Sequence, residues 1–184
     1  MTGPLGQKRL ELLRELAPKA SAIAMLVNPV SPDAVPEIRD VQAAAQASNL
    51  ALNMLHASAP DEIDTAFASL AKQKPDALLV GSDPFFMNRR EQIVVLAARL
   101  GVPAIYPFSE FASSGGLLSY GTDIAGAYRQ AGVYAGRILK GAKPAELPVL
   151  QPTTVDLVLN RNTAKALGIA LPRPLLLRAD RVIE

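Results

Sequence analysis

The chain has 184 residues, the length of one domain or two small lobes, and about 70% of the surface of an unfolded chain of this size is buried on folding. Apolar residues are 49% of the chain and charged residues 20%, a globular balance that excludes a disordered or coiled-coil protein. The formal charge is only +2 with both signs interspersed, and aromatics are 5% with no Trp, so neither a cationic stripe nor stacking platforms exist for a nucleic-acid partner.

The N-terminus reads MTGPLGQKRLELLREL, charged and helix-periodic where an export signal needs an apolar run, so the chain as given is expected to carry no such signal. Leu10, Leu13 and Ala17 recur at helical spacing and Pro18 ends the segment, which predicts a helix over 8–17. Ala22 to Asn28 is a continuous apolar run, the mark of a strand buried on both faces of a parallel sheet. The unit then recurs: a helix to about Ser48, a strand over 51–58, and a helix with Ile63, Ala66, Phe67 and Leu70 on one face, which Ser58 and Asp61 are placed to cap. Next come a strand over 76–83, a helix carrying Ile93, Leu96, Ala97 and Leu100, and a strand over 103–108. Alternation of this kind predicts an α/β fold, an open, mostly parallel sheet with helices on both faces and right-handed crossovers.

After Gly115 and Gly116 the rhythm changes. The run GLLSYG is followed by a helix over 123–140 that Gly141 is placed to end. Pro144, Pro148 and Pro152 bracket an extended connection to a strand over 154–159, a short helix over 162–167 and a last helix in the tail PRPLLLRADRVIE. Three segments follow: 1–122 as an α/β ligand-binding unit, 123–147 as a crossover helix, and 148–184 as a returning strand with helices. No run of 18 uncharged apolar residues occurs, so no membrane-spanning helix is expected.

Ligands of open parallel sheets bind at the carboxyl ends of the strands, where loops and helix N-termini converge. Those ends carry Asn28, Pro29 and Ser31 after the first strand, Asp83, Phe85 and Phe86 after the third, Tyr106 in the fourth and Tyr120 in the GLLSYG run. Asn28, Ser31 and Asp83 are also favoured turn and N-cap residues. Phe85 and Phe86 fit a ligand wall or a hydrophobic staple, and Tyr106 and Tyr120 fit ordinary strand positions. Tyr128 and Tyr134, inside a helix, read as packing residues. With no Cys there is no thiolate nucleophile or thiolate metal site, the lone His56 has no companion at ligand spacing, and the nucleophile-elbow and phosphate-loop motifs are absent. Asp33, Asp83, Glu110 and Asp123 are spread over four loops. The reading is a non-enzymatic binding protein with no cofactor and no metal; the alternative is a response-regulator-like or sensory module, although Asn28 stands where a phosphoacceptor site would want an acid.

The blocks GRILKGAKPAELPV, NTAKALGI and the terminal RADRVIE, together with KRLELLRELAPKASAIAMLVNP and DALLVGSDPFF, resemble the ABC-transporter substrate-binding family related to tryptophan- and tyrosine-type binding proteins. The resemblance implies a periplasmic-binding-protein-like, flavodoxin-like lobe of a two-lobed periplasmic or lipid-anchored protein that captures a small ligand without chemistry and delivers it to an ABC permease. It implies hydrogen bonds from Asn28 and Ser31, pairing of Asp83 with a cationic or donor group, and an apolar wall at Phe85 and Phe86. The first loop, Pro29-Val30-Ser31-Pro32-Asp33, lacks the Asn-Ser pair of the amino-acid-binding members, so the implied ligand is a small polar or amino-acid-like molecule. The likeness covers the later part of such a protein, without signal peptide or most of the first lobe. On that view the 123–140 helix is expected either to fold back on its own sheet or to form a homodimer.

Overall fold

The computed structural model describes residues 5–149 and 154–184, so Pro152 and the first residues of the chain lie outside the described residues. The first strand β1 (Ala22–Val27) is buried on both faces, and its alternation divides the molecule. Ile23, Met25 and Val27 point to one side and Ala24 and Leu26 to the other, each pairing with a separate core cluster. The first cluster is closed by Leu10, Leu12 and Leu13 of α1 (Leu5–Leu16) and by Val41 and Ala45 of α2 (Ala34–Ala47). The second is closed by Ile63, Phe67 and Leu70 of α3 (Pro60–Gln73) and by Ile93, Val94 and Ala97 of α5 (Arg90–Leu100). A fully buried Leu, Ile or Phe contributes about 1.5–3 kcal/mol, so helices on both faces are what such strands require.

Among the described residues the sheet has seven strands in the order β2-β1-β3-β4-β5-β6-β7. β2 (Ala51–His56), β1, β3 (Ala77–Val80), β4 (Ala104–Tyr106) and β5 (Leu118–Thr122) are parallel, with Ile23 opposite both Leu52 and Ala77. β6 (Val155–Asn160) runs antiparallel to β5, Leu118 facing Leu159 and Gly121 facing Asp156. The mostly parallel sheet with helices on both faces is the expected fold class.

The tail departs from expectation. After the short helix α8 (Arg161–Ala166), its helix α9 is only Arg173–Arg178; the chain then turns extended at Ala179 and forms β7 (Arg181–Ile183), parallel to β6. Asp180 fixes that turn, since its Oδ2 accepts from Leu157 N at 2.7 Å and its own N–H donates to Leu157 O at 2.9 Å. The start of α3 also differs. Ala59 is its N-cap without a side-chain bond, and Ser58 instead donates through its N–H and hydroxyl to Glu62 Oε2, at 2.6 and 2.9 Å.

Between β5 and β6 runs α7 (Ile124–Leu139), capped by Asp123, whose Oδ1 accepts from Gly126 N at 2.9 Å, and followed by Gly141 at φ 98°. No residue of α7 is buried. The helix does not fold back on its own sheet, and Tyr128 is 76% exposed rather than packed. Tyr134 reaches the returning chain, donating to Pro148 O at 2.7 Å.

Candidate functional site

The carboxyl ends of β1 and β3 are adjacent, and the two loops leaving them are tied together. Asn28 Nδ2 donates to Asp83 Oδ2 at 3.2 Å, while Asn28 Oδ1 accepts from Val30 N at 3.3 Å, an Asx turn that throws Pro29 and Val30 outward. Asp83 caps α4 (Pro84–Asn88), its Oδ1 accepting from Phe85 N at 2.7 Å, and Pro84 takes the first helical position, where its missing N–H costs nothing. Both side chains are buried, so the polar turn residues form the floor of the site and Pro29, Val30 and Ser31 form its lip.

Behind the floor lies a pair absent from the sequence reading. Arg9 of α1 is 1% exposed and forms an ion pair with Glu37 of α2. Glu37 Oε2 accepts from Ser82 N at 2.8 Å, and Arg9 Nη1 donates to Ser82 Oγ at 3.0 Å, so two helices hold the end of β3 through one residue. A Cβ at Gly81 would lie 3.0 Å from Leu26 O and 3.3 Å from Glu37 Oε2; the loop approaches this closely because position 81 has no side chain. Burial pushes the Arg9 guanidinium down and Glu37 opposes that shift. Arg9 Nε is left without a partner. The signal for this pair is positional: Arg9 falls at helical spacing with Gly6, Leu13 and Leu16, on the buried face of α1.

Asn28, Ser31, Glu37, Ser82 and Asp83 close on one another around a shallow recess whose free volume is about 0 Å³. Small-molecule sites run to about 300–1,000 Å³, so these residues by themselves enclose no site and offer a surface only. Phe85 is half-buried and packs against the second core cluster, its ring 5.5 Å from that of Phe86. Phe86 itself is fully buried in the second core cluster, and no ligand reaches it from the recess. Tyr106 is also corrected. It is 1% exposed, stacks on Phe111 of α6 (Ser109–Ser113) at 4.9 Å, and its phenol is pushed up by burial, because at position 106 the strand faces the α3–α5 side. Tyr120 is half-buried against the first core cluster. Thus Asn28, Ser31 and Asp83 come together, joined by Ser82 and Glu37, with Pro29 next to Asn28 in the lip, while Phe85, Phe86, Tyr106 and Tyr120 pack against the two core clusters. His56 lies exposed at the end of β2, and among the described residues no group of three or more His, Asp or Glu is placed to hold a metal.

The profile of the family described as ABC transporter substrate binding protein matches residues 4–183. The chain belongs to that family. As an ABC transporter substrate-binding protein it is 27% identical over 162 residues to a tyrosine-binding protein of Clostridioides difficile, a match covering 88% of this chain and 47% of that protein. Its fold is similar to an ABC domain in complex with L-Trp from Streptococcus pneumonia, with TM-score 0.84 and 26% identity over 97% of this chain and 62% of the other. It is likewise similar to a conserved domain protein of Vibrio cholerae, with TM-score 0.85 and 25% identity over 99% of this chain and 60% of the other. The chain therefore spans about half the length of the curated relative and about three fifths of each solved structure.

Proposed function

We propose that this chain is a lobe of an ABC importer's solute-binding protein, working outside the cytoplasmic membrane and capturing a small amino-acid-like solute without chemistry. The observation that carries the reading is the joined pair of strand ends, with Asn28 and Asp83 locked to each other beneath a lip of exposed Pro29 and Val30 and half-buried Ser31. Relatives named for tyrosine binding and for a complex with L-Trp support an amino-acid ligand, and half-buried Phe85 offers its aromatic wall. In this role Ser31 donates to the ligand and Asn28 and Asp83 hold the loops. Asp83 is 5% exposed with both oxygens engaged, which also speaks against a phosphoacceptor in a signalling module. In this reading residues 1–122 form the ligand-binding unit, 123–147 the crossover and 148–184 the return, the lack of a buried residue in α7 supports the crossover role, and an ABC permease is the partner of the whole. Titration of the chain with L-tryptophan and L-tyrosine under heteronuclear NMR tests this. Saturable shifts at residues 28–31 and 82–85 are expected, weakened by up to about tenfold in Ser31→Ala through loss of one hydrogen bond. Shifts absent from these loops at saturating amino acid would overturn the reading.

A further inference from the structure

At the edge of the sheet opposite the candidate site, the last turns of α3 and α5 flank a solvent-open groove of about 470 Å³ at the N-terminal ends of β3 and β4. That is a small-molecule volume, whereas the recess at the strand carboxyl ends has a free volume of about 0 Å³. Leu70 and Val102 form a buried apolar base, and Leu100, a large apolar residue 41% exposed, stands over it.

The polar rim is unbalanced. Asp76 is consumed, its Oδ2 accepting from Ser21 N at 2.7 Å, Ala22 N at 3.0 Å and Ser21 Oγ at 3.2 Å. The helix ends are closed as well, Lys74 N–H donating to Leu70 O, Gly101 N–H to Ala98 O and Val102 N–H to Ala97 O. Lys74 and Arg99, both exposed, have no ion-pair partner among the described residues. Two free cations beside an apolar base are complementary to an anion with an apolar body.

We propose that this groove is a second small-molecule site, distinct from the recess at Asn28 and Asp83, that takes an amphipathic aryl carboxylate. The ring lies against Leu70, Leu100 and Val102, and the carboxylate meets Lys74 and Arg99. The test is a heteronuclear NMR titration of the chain with naphthoate, with naphthylmethanol as the uncharged counterpart. Naphthoate produces saturable shifts at residues 70–76 and 99–103 and binds more tightly than the alcohol. The double variant Lys74→Glu, Arg99→Glu, changed only at exposed positions, weakens naphthoate by about tenfold or more and leaves the alcohol unchanged. Naphthoate shifts confined to residues 28–31 and 82–85, no saturable shifts, or equal affinity in the double variant would each overturn the proposal.

Discussion

Arg9 carries the largest fully buried side chain of the described residues, and its charge is tolerated there only because Glu37 and Ser82 meet it. Removing one member of a buried ion pair strands the other charge, a cost of about 3–5 kcal/mol, whereas replacing both with apolar residues is often close to neutral. Glu37→Ala is therefore expected to destabilise by about 3 kcal/mol or more, and Arg9→Met combined with Glu37→Leu to recover most of the loss. Urea denaturation of Arg9→Met, Glu37→Leu and the double measures this, and strictly additive losses would remove the ion pair from the account. Arg9 is hard to read from sequence because it sits among Lys8, Glu11, Arg14 and Glu15, which look like a solvated helix face. Asn28 and Asp83 are legible as strand-end polar residues, but a sequence does not reveal that they satisfy each other.

At the scale of elements, β1 and β3 are legible because burial on both faces leaves an unbroken apolar run. β7 is not: Arg181, Val182 and Ile183 are too short to show a period, and register with Val158, Leu159 and Asn160 is what makes them a strand. α4 and α6 span five residues each, too short to display a helical face, yet they bury Phe86 and Phe111. The antiparallel β5–β6 pair brings its own electrostatic consequence. Asp156, opposite Gly121, is pushed above the ordinary carboxylate range by burial, then by the charges of Asp123 and Asp180, with Arg181 opposing. Its native pKa exceeds the unfolded one, so its favourable contribution is complete below the unfolded value and is lost as pH rises through the native value. Asp156→Asn is accordingly expected to match the wild-type Tm in acid and to exceed it at neutral pH, which thermal scans at both pH values check. A variant Tm at or below wild type at neutral pH would contradict this.

Across the whole molecule, two core clusters hold the sheet between its helices while α7 stands apart with no buried residue. Tyr128 and Leu139 are 76% and 87% exposed, and with Gly132 and Ala135 they recur at i, i+4, i+7 and i+11 along one stripe. Gly132 and Gly136 have open space around them, so a second helix can approach the backbone closely there. The proposed homodimer would use this stripe as its contact face. The strength of that pairing follows from size. A 16-residue helix is about 24 Å long, and one helix pair falls short of the roughly 800 Å² per partner of a standard interface. The homodimer is therefore expected to be weak and concentration-dependent, and Tyr128→Lys with Leu139→Lys to yield monomer at every concentration without loss of Tm, since neither side chain is buried in the fold. Sedimentation equilibrium over a wide concentration range checks both statements. A wild-type monomer throughout the range would sink the homodimer, and a dimer that survives both lysines would place the contact on another face.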